Sequence, residues 1–121
     1  MAYNKYHAYK IHADGRTFDS RKEFNRYREL TILEAAGRIK DLRCQVPFEL
    51  IPAQREPDRE GPRGVKRQGK IIERPCRYIA DFAYWQDGEY IVEDCKGMRT
   101  ADYKIKRKLM LWRHGIRILE T

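Results

Sequence analysis

Asp81, Asp94 and Lys96 have the clearest capacity for chemistry, and all three fall in YIADFAYWQDGEYIVEDCKG, from Tyr78 to Gly97. Runs of alternating polarity flank Gln86-Asp87-Gly88-Glu89, and an Asp-Gly pair so placed predicts two antiparallel strands joined by a tight turn. Strand side chains alternate faces, so Val92, Asp94 and Lys96 share one face while Ile91, Glu93 and Cys95 take the other. Two carboxylates and an ammonium on one patch outline a metal-dependent hydrolytic site. Phosphodiester hydrolysis needs an activated water and neutralisation of the charge that builds in the transition state. A hard divalent cation, Mg²⁺ or Mn²⁺, meets both needs when carboxylate oxygens hold it. Asp81 and Asp94 are the ligands on this reading, the Cys95 backbone carbonyl can add an oxygen, and Lys96 orients the water or stabilises developing charge. The plainer alternative is an ion pair of Lys96 with one of the acids. It leaves the second carboxylate needing a partner, and buried unpaired charge is costly.

The elements that must position these groups are legible in outline. Ala13-Asp14-Gly15-Arg16 reads as a turn between two short extended pieces. Ser20 with Glu23 three residues on is a capping box, and the helix it opens runs to Gly37, a natural residue just past a helix end. At about 100° per residue, Glu23, Tyr27, Leu30 and Glu34 line one stripe, which puts Glu23 on or beside the buried face. That carboxylate either closes the capping box or reaches toward the hairpin, and the two roles are compatible. Arg38 to Leu42 reads as a connector into a strand in which Val46, Phe48 and Leu50 alternate with Gln45, Pro47 and Glu49. Pro47 cannot donate to a ladder, so the strand belongs at a sheet edge or bulges there, and Gln45 is a polar group available to the active face. A second helix covers Tyr103 to Arg113, with Ile105, Leu109 and Trp112 as its expected buried face, and Ile116 to Leu119 closes as a short strand. The expected class is α+β, a mixed central sheet flanked by helices.

The chain has 121 residues, enough for a single domain spanning 1–121 with one core. Its net charge of +8 points to a polyanionic partner, most economically nucleic acid. The densest basic stretch is the Pro/Gly-rich segment 52–75, expected to be a long loop with a ragged hairpin near Gly69, where Arg63, Lys66, Arg67 and Lys70 are placed to follow phosphates. Arg99, Thr100, Lys104, Lys106 and Lys108, around the second helix, extend the candidate nucleic-acid surface. Three cysteines without a CxxC give neither a disulfide framework nor a zinc-finger spacing. Reduced cysteines, with no signal peptide and no long apolar run, lead to the expectation of a cytoplasmic protein that does not enter membranes.

Asp81 followed by Glu93-Asp94-Cys95-Lys96, on a hairpin between a Glu-bearing first helix and a second basic helix, resembles the PD-(D/E)xK nuclease superfamily. More narrowly, SRKEFNRYRELTILEAAGRIKDLRCQVPFELIP followed by YIADFAYWQDGEYIVEDCKG is similar to small phage-encoded members of it, of the Holliday-junction resolvase and endonuclease I type. The resemblance covers nearly the whole chain except 52–75. It implies a restriction-endonuclease-like core in the order αβββαβ and makes Glu23, Asp81 and Asp94 metal ligands and Lys96 the catalytic lysine. Ala80 stands where that family often has Pro, and Glu93 adjoins Asp94, so that a bulge would exchange the two acids. The implied activity is Mg²⁺-dependent cleavage of branched or junction DNA, for which a homodimer is expected. A non-catalytic nucleic-acid-binding module on the same fold is one alternative. The other is a nuclease of different specificity: restriction-type, transposon-end or exonuclease.

Overall fold

The computed structural model describes residues 10–95 and 99–121. It opens with a hairpin of β1 (Ile11–Ala13) and β2 (Arg16–Phe18), turned by Asp14 and Gly15 at φ 52° and 70°. Positive φ at both central residues is the turn whose twist matches a strand pair. Helix α1 (Arg21–Ala35) follows, with Ser20 Oγ accepting the Glu23 N–H at 3.2 Å and Gly37 in the left-handed region just beyond its end. Strand β3 (Lys40–Ile51) begins earlier than the alternation suggested, because Asp41 at φ 56° absorbs a register shift between Lys40 and Arg43. The expected connector at 38–42 is therefore largely strand.

The segment 52–75 is more ordered than the loop expected of it. Strands β4 (Gln54–Arg55), β5 (Arg59–Glu60), β6 (Lys66–Arg67) and β7 (Ile71–Glu73) pair as two nested antiparallel ladders, β4 with β7 and β5 with β6. Alternation misses such an arm because neither of its faces is buried. The long hairpin β8 (Cys76–Gln86) and β9 (Glu89–Asp94) then turns at Asp87 and Gly88, φ 51° and 79°. Helix α2 (Ala101–His114), capped by Thr100 and ended by a left-handed Gly115, leads to β10 (Leu119–Glu120).

The central sheet has the order β10-β9-β8-β3, with β10 parallel to β9 and the other pairs antiparallel. The core elements thus run α1, β3, β8, β9, α2, β10, and the proline-bearing strand is at the edge. One face packs Leu30, Ile39, Phe82, Tyr84 and Cys95 on the α1 side. The other packs Leu50, Tyr78, Ala80, Val92, Tyr103, Met110 and Ile118 on the α2 side. The buried residues of α2 are Tyr103 and Met110; of the expected face Leu109 is half-buried against the same core, whereas Ile105 and Trp112 are exposed, Trp112 at 80%. Two apolar stripes compete on this helix. The surface of Tyr78, Ala80 and Leu50 takes the aromatic ring and the adaptable thioether of the one not anticipated.

At the middle of the sheet two strands change face together. Leu42 and Cys44 pack on the α1 side, but Val46, Phe48 and Leu50, of the same parity, pack on the α2 side. Phe82 and Tyr84 oppose Tyr78 and Ala80 in the same way. Register is kept across the change, from Cys44↔Phe82 to Val46↔Ala80. The residues at the switch are Gln45, at φ 53°, and Asp81.

Candidate functional site

Asp81 sits at that switch because β8 rotates there, turning its carboxylate toward the end of β9. The β8–β9 pairing runs as far as Phe82↔Glu93, so Asp81 and Asp94 come next along the two strands. Asp81 Oδ2 accepts the Cys95 N–H at 2.9 Å, which ties it to the residue after Asp94. Asp94 Oδ2 accepts the Tyr78 hydroxyl at 2.7 Å. Both acids are buried, with 2% and 3% of their surface exposed.

Glu23 joins from α1. Its Oε2 accepts the Asp19 N–H at 3.1 Å, as a capping box requires, and its Oε1 accepts the Gln45 amide at 2.9 Å. The carboxylate thus caps the helix and also bonds β3 at the strand switch. The fields of these acids meet at Cys95. Burial first, then Asp81, Glu23 and Asp94, push its thiol up to about 12, so it is a protonated, inert core group. Its side chain packs on the α1 side, away from Asp94's face, as alternation predicts. Lys96 lies outside the described residues.

Glu93 has a different job. Its carboxylate takes two parallel bonds from Arg26, at 2.8 and 2.9 Å, and further bonds from the Tyr84 hydroxyl and Thr121 Oγ1. Arg26 is correspondingly held far more firmly protonated, chiefly by the Glu93 bond. Nothing in the spacing of Arg26 and Glu93, 67 residues apart, announces this pair. Burial, then the bond to Glu93, pushes Tyr84 up to about 12 from its usual 10.0. A phenol with a raised folded pKa favours the folded chain fully below pH 10.0, and that contribution is lost as pH climbs through about 12. The phenolate absorbance assignable to Tyr84, by difference from Tyr84→Phe, is therefore expected to emerge with alkaline unfolding. Its appearance in folded protein below pH 10.0 would contradict the buried geometry.

Two tyrosines at Asp94 escaped the sequence reading. Tyr78 is pushed well up by burial and by its bond to Asp94. Tyr103, ring centroids 6.2 Å from Tyr78, has a buried hydroxyl without a hydrogen-bond partner among the described residues. Loss of the Tyr78 bond in Tyr78→Phe should cost about 1.5–3 kcal/mol, a charged acceptor being involved. Tyr103→Phe should leave the urea midpoint unchanged or higher, since no bond is lost. A fall comparable to that of Tyr78→Phe would show that its hydroxyl is bonded.

The candidate phosphate contacts lie apart. Arg63, Lys66, Arg67 and Lys70 are exposed on the β4–β7 arm, and Lys104 and Lys108 are exposed on α2. Lys106 is half-buried and pairs with Asp102 at 3.5 Å. Arg99 pairs with Glu120, and Thr100 Oγ1 accepts the Tyr103 N–H, so these two also hold the ends of α2 and β10.

The donor set is all hard oxygen, which suits Mg²⁺ or Mn²⁺ in kind. Among the described residues, no group of three or more His, Cys, Asp and Glu side chains is placed to hold a metal ion. Mg²⁺ is ordinarily held by one or two carboxylates with waters and substrate phosphate, which an Asp81–Asp94 pair fits. No helix among the described residues is long and apolar enough to cross a membrane. A family model described as "Protein of unknown function (DUF1064)" matches residues 3–117. No curated protein and no solved structure matches the chain.

Proposed function

The chain belongs to the DUF1064 family, and we propose that it is a divalent-metal-dependent DNA endonuclease of PD-(D/E)xK type, selective for branched DNA and working in the cytoplasm. The observation that carries the reading is the bond from the Cys95 N–H to Asp81, which ties Asp81, where β3 and β8 change face, to the residue after Asp94. A rotation there brings two acids, a helix-borne Glu23 and the amide of Gln45 to one end of the hairpin.

A cation held by Asp81 and Asp94, with the Cys95 carbonyl as a further oxygen and Glu23 reaching it through water, would neutralise phosphate charge and acidify a water. Tyr78 fixes the rotamer of Asp94 through its hydroxyl, and the Cys95 N–H fixes that of Asp81. Both acids are thereby preorganised, so little reorganisation is needed during reaction. Gln45 holds Glu23 in the same manner. Lys96, two residues beyond Asp94 in the sequence, is assigned water orientation and charge stabilisation. The basic residues named above supply affinity without base reading, so the shape of the DNA sets the choice of substrate. Resolving a four-way junction takes two cuts, hence two copies of the site and a homodimer.

The test is cleavage of labelled four-way junction, flap, nicked and linear DNA with Mg²⁺, Mn²⁺ or EDTA. Metal-dependent cutting, strongest on branched forms, is expected; cutting in EDTA would sink the reading. The lack of a three-donor metal group among the described residues favours a second reading, a non-catalytic nucleic-acid-binding module. Tight binding of junctions without cutting under any metal would select it.

A further inference from the structure

The arm between β3 and β8 is ordered without a core. Between Gln54 and Glu73 only Gly69 is buried, and Val65, Ile71 and Ile72 are exposed. Backbone pairing holds it together. Glu56 N–H donates to the Lys70 carbonyl at 2.8 Å and Gly69 N–H to Asp58 Oδ1 at 3.1 Å, joining the two ladders. The strands close because residue 69 has no side chain: a Cβ there would lie 1.8 Å from the Glu56 carbonyl oxygen. A two-stranded ladder alone is marginal in water, so an arm built this way is shaped for something it touches.

Its register names the chemistry of that partner. Arg59 pairs directly with Arg67, while the next pair, Glu60 with Lys66, is complementary. Like charges directly opposite on one face destabilise a ladder, and neither arginine makes an ion pair with the described residues. The Arg67 side chain lies across Gly61, where a Cβ would come within 2.9 Å of its Nε. Arg63, at φ 62°, stands at the tip.

We propose that Arg59 and Arg67 form a phosphate clamp, and that the arm is a preformed grip on the backbone of duplex DNA. An anionic oxygen between two guanidiniums turns the repulsion into paired charge-assisted hydrogen bonds. Lys66, Lys70 and Arg63 spread further cations along the arm, which suits a repeating polyanion better than a single acidic side chain. The inference rests on DNA being the substrate but not on the acids assigned to cut it.

The experiment is fluorescence anisotropy of labelled duplex and junction DNA in EDTA, over a range of salt, with polyglutamate as competitor. Arg59→Ala/Arg67→Ala is expected to bind about tenfold to a hundredfold more weakly in about 0.1 M salt. Its slope of log affinity against log salt should fall by about 1–2. Arg59→Glu, which makes the pair complementary and should firm the arm, is expected to lose affinity as well. The unfolding temperature of each variant should match the wild type, because no core contact is touched. Wild-type binding with unchanged affinity and slope in both variants would overturn the clamp alone. A wild type that binds no DNA, or binds polyglutamate as tightly, would overturn the DNA reading with it.

Discussion

Asp81→Asn and Asp94→Asn are each expected to lower the rate of metal-dependent DNA cleavage about a thousandfold while leaving a folded protein. Each substitution keeps the shape of the side chain and removes one anionic ligand. Losing several kcal/mol of charge stabilisation at the phosphate converts at tenfold per about 1.36 kcal/mol. Asp81→Asn retains an oxygen for the Cys95 N–H, and Asp94→Asn one for the Tyr78 hydroxyl, so neither change orphans its partner. Single-turnover cleavage of a labelled junction at saturating protein separates this loss from weaker binding. Wild-type rates in either variant would remove that residue from the site. Lys96→Ala belongs in the same series, with an expected loss of about a hundredfold or more by analogy with the removal of one charge-stabilising donor.

The other large effect falls on stability. Arg26→Ala is expected to destabilise the fold by about 3–5 kcal/mol, because it leaves the Glu93 carboxylate, 0% exposed, without its cation. For a domain of this size that is a fall of roughly 10–20 °C in the unfolding midpoint, read by far-UV circular dichroism. Glu93→Gln should be milder, since Tyr84 and Thr121 reach different oxygens of the carboxylate and a hydroxyl can bond either the remaining amide oxygen or the N–H that replaces the other. The two series together separate the adjacent acids. Glu93→Gln should lower the midpoint and keep the cleavage rate of folded protein, whereas Asp94→Asn should keep the midpoint and lose the rate. The reverse pattern would reassign the ligand to Glu93. Arg26 also lines a cleft with Lys22, Asn25, Glu29, Cys95 and Thr121, so the C-terminal residue and α1 lose a shared contact when the pair is cut.

Local chemistry made much of this protein legible from its residues in order. Ser20 and Glu23 set the start of α1 because capping uses groups three residues apart. Asp87-Gly88 set the central turn because few pairs accept positive φ twice. Pro47 put β3 at an edge because it has no N–H to give an outer neighbour. Alternation separated Glu93 from Asp94, and the structure keeps them on opposite faces, one against Arg26 and one against Tyr78. Of the arm only a ragged hairpin near Gly69 is legible, since ladders with both faces in solvent leave no hydrophobic period. The buried face of α2 was misread because the helix carries two apolar stripes, and only the sheet it meets selects between them. The Arg26–Glu93 pair and the Tyr78–Asp94 bond join residues that only folding brings together. The same holds for the switch at Gln45 and Asp81: each strand alone reads as regular alternation, and the change of face exists only where a core on either side of the sheet pulls the two strands around together.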